Sequence, residues 1–478
     1  MDRKKTKIVA TISDRKCDVE FLKKLYEAGM NVVRINTAHQ SPDDSIKVIN
    51  NVREVSEKIA ILLDTKGPEV RTNKSELDID VIKCQRIEIK GNPAMESNKE
   101  CLCVSYNRFV DDVPKGSNIY IDDGDIELKV VDKNKDALLC EVCNNGIIKS
   151  RKSVNVPKVS MNLPSLSDKD RVYVHFAVEN NLDFIAHSFV RSKEDVREIQ
   201  EILDKHKSSI KIIAKIENQD GVDNIDEILE NVYGIMVARG DLAIEVPYEK
   251  IPGVQNMIVR KCIALRKPVI IATQILHSMI HNPRPTRAEI SDIANSIYGQ
   301  TDAVMLSGET AYGKYPVRAV ETMTKVAIQA EEDKEKFYEA PTIPLSTEIS
   351  GYLSKSAVKA SVRLNAGAII ADTVKGNTIR NLAGFRGEKT VFAQCYSKRT
   401  VRELALSYGV EAHYMKMKDP SHELFIYNAL DLLIGNGIIT EKDLVVVLAG
   451  NFGPGPGPSY IEITSAENLR SEDLPEIH

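Results

Sequence analysis

Eight short apolar runs, each ending in polar residues, constrain this 478-residue chain more than any other feature. They are IVATI (8–12), NVVRIN (31–36), AILLD (60–64), DFIAHS (183–188), IKIIAKIE (210–217), GIMVAR (234–239), PVIIATQ (268–274) and AVMLS (303–307). Amphipathic stretches such as CDVEFLKKLYEAG (17–29), KEDVREIQEILDKHK (193–207) and PVRAVETMTKVAIQAEEDKEKF (316–337) lie between most of them. Alternating strand and helix implies a parallel sheet, and eight such units match a closed (β/α)8 TIM barrel. On that fold chemistry gathers at the C-terminal strand ends. The polar tips fall there: Arg34 and Asn36, Asp64, Lys215 and Glu217, Arg239 and Asp241, Thr273, Ser307 and Glu309.

The rhythm breaks once. From about Thr72 to Pro157 alternating runs such as RIEIK (86–90), NIYIDDGDIELKVV (118–131) and ALLCEV (137–142) replace the helical patterns. This predicts an all-β insert after strand three, placed as a lid over the barrel mouth. A linker, EAPTIPLSTEIS (339–350), precedes AIIADTV (368–374), KTVFAQC (389–395), VEAHYM (410–415) and DLVVVLAG (443–450), which read as an open α/β domain. NFGPGPGPSY (451–460) follows as a proline–glycine loop. The expected division is a barrel over 1–71 and 158–338, a lid over 72–157 and a C-terminal α/β domain over 339–478.

A net charge of −5 and a pI near 6.1 argue against a nucleic-acid-binding surface. No apolar run is long enough to span a bilayer. The N-terminus, MDRKKTKIVATIS, lacks a signal-peptide core, which predicts a cytoplasmic protein whose eight cysteines stay reduced. Cys101-x-Cys103 and Cys140-x-x-Cys143 have spacings a zinc site could use, but they sit in strand-like runs without the knuckle glycine, so reduced thiols are the expectation.

The chemistry concentrates in KIIAKIEN (211–218) and GIMVARGD (234–241). Lys215 and Glu217 are two residues apart, so a pleated strand projects both from one face. With Asp241 and the turn at Gly240 they form an ammonium, two carboxylates and exposed backbone amides. Such a set suits a divalent metal beside an anionic substrate. A structural Lys–Glu pair at a strand end is the plainer alternative for this stretch taken alone.

Nearly the whole chain from Lys7 resembles the pyruvate kinase family. The resemblance rests on KIVATI (7–12), GMNVVRIN (29–36), LLDTKGPEVRT (62–72), IYIDDG (119–124), KIIAKIEN (211–218), IMVARGDLAIE (235–245), IIATQIL (270–276), NPRPTRAE (282–289) and MLSGETAYGKYP (305–316), in that order. The chain starts where bacterial members start, without the animal N-terminal extension. The resemblance implies glycolytic transfer of the phosphoryl group of phosphoenolpyruvate to ADP, giving pyruvate and ATP. It makes Lys215 the phosphoryl-neutralising lysine, Arg34 the phosphate grip, and Glu217 and Asp241 the Mg2+ ligands. Gly240 and Asp241 amides with the Thr273 hydroxyl would receive the substrate carboxylate, and Thr273 and Ser307 would relay a proton through water. Asn36, His39, Arg71 and Lys152 would face the nucleotide, and Asp123 would be the lid's contribution. Asn36, Asp64 and Thr65 would hold K+. A homotetramer is implied, with 282–289 near an interface, and TVKGNT (373–378) resembles the loop that takes a sugar-phosphate effector.

The chain departs from the family pattern at several positions. Ala38 replaces a serine of the K+ site, whereas Glu69 matches members that need K+. Together they predict K+ dependence with weakened affinity. Ser13-Asp14 replaces Gly-Pro, Gln40 replaces a glycine, His277 a glutamate, and Lys375 a hydroxyl residue. Ser307 and Glu309 have a plainer alternative as caps of the following helix. Two rival functions remain: a Mg2+-dependent barrel lyase acting on pyruvate enolates, and a sensor of phosphorylated metabolites. The lyase would not need Lys215, Arg34 or Lys152; the sensor draws only on Ala38 and Ser13-Asp14.

Overall fold

Lys7–Thr11 (β1), Val32–Asn36 (β2), Ala60–Asp64 (β3), Phe184–His187 (β4), Lys211–Ile216 (β5), Gly234–Ala238 (β6), Val269–Ala272 (β7) and Ala303–Leu306 (β8) close into one parallel barrel in chain order. Closure comes from β1 against β8, with Lys7 opposite Ala303. The computed structural model describes residues 4–335, 348–416, 422–450 and 457–471. Most of the linker and the first part of the proline–glycine loop, 451–456, therefore lie outside the described residues.

Strand parity explains the apolar runs. Val9, Val32, Leu62, Phe184, Ile213, Met236, Ile270 and Met305 point inward and fill the barrel. The alternate residues Ile8, Val33, Ile61, Ile185, Ile212, Ile235, Ile271 and Val304 pack beneath the surrounding helices. A strand buried on both faces reads as continuously apolar, as all eight do. Capping boxes fix the entry of three helices: Ser41 with Asp44, Ser167 with Asp170, and Thr286 with Glu289.

The lid builds a six-stranded sheet and a two-stranded one around its own apolar core, including Ile87, Leu102, Phe109, Ile119, Leu128 and Leu138. One short helix, Phe109–Asp112, interrupts the expected all-β insert, its Phe109 and Val110 turned into that core. Four residues are too few for helical periodicity to show in sequence. Cys140 pairs with Ile87, whereas Cys101 and Cys103 pair with Glu88 and Lys90. Alternate residues face opposite sides of a sheet, so Cys140 and the Cys101–Cys103 pair are separated by it.

Among the described residues the C-terminal sheet has five strands, in the order Val410–Tyr414, Val391–Cys395, Ala368–Thr373, Leu444–Ala449, Tyr460–Ser465. The last is antiparallel and was not among the four expected. Its residues are mostly half-buried, so it lacks the apolar run that marks the others. This sheet's layer docks on the barrel floor, opposite the mouth. Arg386 binds Asp302 through both terminal nitrogens at 2.7 and 2.5 Å. Arg402 and Arg53 share Asp183 at 2.6 and 2.9 Å. Leu406 enters the apolar interior of the barrel itself. Among the described residues no helix is long and apolar enough to cross a membrane.

Candidate active site

The inward parity that fills the barrel with apolar side chains continues for one more step at the mouth, where it delivers polar ones. Val32 is followed by Arg34, Leu62 by Asp64, Ala186 by Ser188, and Ile213 by Lys215 and then Glu217. Asp64 stands between two cations: its Oδ2 lies 2.6 Å from Arg34 Nε and its Oδ1 3.0 Å from Lys215 Nζ. Burial alone would raise the Asp64 carboxyl, but Arg34 and Lys215 overcome it and hold it below the usual range. Burial likewise opposes the Lys215 charge, and Asp64 and Glu217 more than offset that, keeping the amine an ammonium. Arg34 Nη1 donates to Thr11 Oγ1 at 3.0 Å, fixing the guanidinium plane.

Glu217 Oε1 lies 3.0 Å from Lys215 Nζ, and its Oε2 accepts from Phe189 N at 2.7 Å. Burial still pushes its carboxyl up to about 7, with Lys215 pulling down and Asp241 adding repulsion. Asp241 is also raised, first by burial, with the lid's Asp123 and with Glu69 contributing against the pull of Lys215. Two carboxylates that both resist ionisation, Glu217 buried and Asp241 half-buried, are short of positive charge, which an oxygen-seeking divalent cation would supply. Among the described residues no cluster of three or more His, Cys, Asp or Glu could hold a metal. Glu217 and Asp241 are a pair of carboxylates, a donor set of the kind a hard divalent cation takes together with other oxygen ligands.

Asp241 lies in the first turn of the helix Arg239–Glu245. Beside it Thr273 and Gln274 take left-handed backbone angles, φ 68° and 54°, a strain of about 1 kcal/mol each or more. Arg239 maintains the turn by donating to the Thr273 carbonyl at 2.8 Å while Asp292 anchors its other nitrogen, also at 2.8 Å. Gly240 N donates to Thr273 Oγ1 at 2.8 Å, so two of the groups expected to meet a substrate carboxylate are joined to each other. The helix-capping alternative forms only on the Glu309 side, whose carboxylate takes the backbone N–H of Ser307, the residue that precedes the helix Gly308–Ala311. The Ser307 side chain caps nothing, and buried Glu309 accepts from Ser307 N at 2.7 Å and Leu276 N at 3.1 Å, tying together the loops after β7 and β8.

The lid-side residues are paired among themselves. Arg71 binds Glu69 at 2.5 Å and the Arg151 carbonyl at 2.6 Å, and Lys152 binds Asp122 at 2.8 Å. Asp122, Asp123 and Gly124 form the lid turn with successive φ of 55°, 56° and 93°. Asn36 Oδ1 accepts from the Ala38 amide at 3.1 Å, and Thr65 contacts Ala186 and Ser188. His39 is exposed. Ser13 ties its loop to the Ala311 carbonyl at 2.7 Å, and buried Gln40 donates to Ile12 O at 2.7 Å. The structure therefore gathers Arg34, Asp64, Thr65, Lys215 and Glu217 into one network and Gly240 and Thr273 into another. Arg71, Lys152 and Asp123 stay on the lid side. Sequence reasoning missed Ser188 and Thr11 as members of the first network. The available signal was parity, since Ser188 continues the inward series Phe184, Ala186.

The family described as pyruvate kinase, barrel domain, matches residues 3–320, and pyruvate kinase, alpha/beta domain, matches residues 352–457. The pyruvate kinase of Borreliella burgdorferi is 46% identical over 472 residues, 98% of each chain. That of Staphylococcus aureus (strain MRSA252) is 42% identical over 455 residues, 94% of this chain and 78% of the relative. A crystal structure of a pyruvate kinase from Cryptosporidium parvum superposes with a TM-score of 0.92 at 37% identity, covering 97% of this chain and 96% of the other.

Proposed function

The chain belongs to the pyruvate kinase family, and from that premise we propose how its residues divide the transfer of a phosphoryl group from phosphoenolpyruvate to ADP. One observation carries the reading: Asp64 presents two cations, Arg34 and Lys215, beside the carboxylates of Glu217 and Asp241. Phosphoryl transfer asks for positioning and charge neutralisation more than for covalent participation. Arg34 grips the phosphate, and the Lys215 ammonium neutralises it in flight. Gly240 and Asp241 amides and the Thr273 hydroxyl take the carboxylate, which displaces the Thr273 contact with Gly240. Thr273 and Ser307 pass a proton through water to the enolate.

Glu217 and Asp241 would hold Mg2+, whose charge draws substrate oxygens together and neutralises them. Asn36, Asp64 and Thr65 would hold K+. Both Asp64 oxygens already serve Arg34 and Lys215, and Asn36 serves the Ala38 amide, which supports a weak K+ site. Asn36, His39, Arg71 and Lys152 address ADP, the last two by leaving Glu69 and Asp122 when the lid closes with Asp123. The division into a barrel (1–71 and 158–338), a lid (72–157) and a C-terminal domain (339–478), a sugar-phosphate site at 373–378 and a homotetramer complete the reading. An enolate lyase has no use for a phosphate-directed Arg34 locked to the same aspartate as Lys215.

The test follows pyruvate formed from phosphoenolpyruvate and ADP with Mg2+, with and without K+. Turnover that rises with K+ is expected. Equal turnover without K+ would remove the cation assignment, and no turnover by folded protein would remove the reading.

A further inference from the structure

We propose that Ser188 is a positioning residue for the Lys215 ammonium, an inference that rests on the phosphoryl-transfer reading above. Lys215 Nζ has three N–H donors. One donates to Ser188 Oγ at 2.7 Å, and the ammonium forms ion pairs with Asp64 Oδ1 and Glu217 Oε1, each at 3.0 Å. Glu217 is also the carboxylate proposed to bind the divalent cation, so its hold on Lys215 is the one that must loosen for the reaction. Asp64 is itself shared with Arg34. Ser188 is the neutral partner with no competing cation. It keeps the amine aimed at the mouth while a freed N–H turns to the phosphoryl oxygens.

The hydroxyl is placed by a clasp between the turns after β3 and β4. Ser188 Oγ donates to the Thr65 carbonyl at 2.6 Å, which leaves its lone pairs toward Lys215. Ser188 N donates to Thr65 Oγ1 at 3.0 Å, and Thr65 N donates to Ala186 O at 3.0 Å. Gly67, at φ 73°, packs so closely that a Cβ there would stand 2.8 Å from Ser188 Cβ and 2.7 Å from the Phe189 ring. The next residue, Phe189, gives its backbone N–H to Glu217. One turn thus orients the amine through a side chain and the carboxylate through the backbone.

A purely steric role for buried Ser188 makes the opposite prediction from a hydrogen-bonding one. Alanine would fit the same space and threonine would crowd it. The experiment compares wild type, Ser188→Ala and Ser188→Thr for kcat, both KM values, melting temperature and Mg2+ affinity by calorimetric titration without turnover. For Ser188→Ala the expected result is a fall in kcat of about 10- to 100-fold, KM values within about twofold and unchanged Mg2+ affinity, since one oriented hydrogen bond to the charge-stabilising group is lost. Ser188→Thr should retain more activity than Ser188→Ala. Wild-type kcat in Ser188→Ala, or an activity order with alanine above threonine, overturns the inference while leaving the function intact. If Ser188→Ala does not fold, Ser188→Thr below one-tenth of wild-type kcat at unchanged melting temperature overturns it. A wild type without any turnover overturns the function and this inference together.

Discussion

Lys215 Nζ and Glu217 Oε1 lie 3.0 Å apart at the end of β5, so the amine meant for phosphoryl oxygens is paired with a carboxylate meant for a cation. The pair keeps two opposite charges adjacent in a buried mouth until other partners arrive. Neither group could be buried alone without a large desolvation cost.

The acidity of Glu217 gives this pair a pH signature. Burial pushes its carboxyl up to about 7, so a proton competes with the divalent cation below that value. Apparent Mg2+ affinity should rise by up to about tenfold between roughly pH 6 and pH 8 and flatten above. For the metal-free protein the sign is reversed. Glu217 binds its proton more tightly folded than unfolded, so its contribution to stability is fully present below about 4.3 and is lost as pH climbs through 7. Calorimetric Mg2+ titrations and melts of metal-free protein check both, and a pH-independent affinity contradicts the assignment.

Lys215→Ala should cut kcat by about 10²- to 10³-fold or more with Mg2+ binding retained. Lys215→Arg should rescue little, because a planar guanidinium cannot reproduce a compact ammonium that pairs with Asp64 and Glu217 while donating to Ser188. Steady-state kinetics beside a metal titration separate lost chemistry from a lost site.

Asp64→Asn should disturb Arg34 and Lys215 together. It removes the charge that holds both, so turnover falls, the K+ response disappears, and stability drops by about 3–5 kcal/mol as two buried cations lose a shared partner. Urea unfolding read beside the K+ dependence of turnover measures each effect. Wild-type stability would mean that Glu217 and Thr11 suffice.

Arg386→Ala should destabilise without touching chemistry. It strands buried Asp302 at the barrel floor, at a cost of about 3–5 kcal/mol. The mouth lies at the other end of the strands, so kcat below the lowered melting temperature should stay within about twofold. A large fall in kcat there would reveal coupling between floor and mouth.

Much of the site was legible because strand parity is local. Arg34, Asp64, Lys215 and Glu217 all stand one or two steps beyond an inward apolar residue, and the sequence alone put them at strand tips. Their partners were not legible. Asp64 read as a K+ ligand, and nothing along the chain showed that it also pairs Arg34 with Lys215. Gly240 and Thr273 read as two arms for one substrate group, and their bond to each other was not legible.

What the sequence by itself determined is the barrel, the lid's position and the chemical types at the mouth, because periodicity of two and of 3.6 needs only neighbouring residues. It also determined the family through motifs in a fixed order. The tertiary structure alone decided which tips meet. Barrel closure sets how far each strand is staggered, and this brings Ser188 to Lys215 across 27 residues, and Ser188 to Asp64 across 124. It also decided that Cys140 and the Cys101–Cys103 pair face opposite sides of the lid sheet, and that Tyr460–Ser465 joins the last sheet as a fifth strand. Those outcomes depend on register between distant segments, and a pattern along one strand carries no information about the stagger of its neighbour.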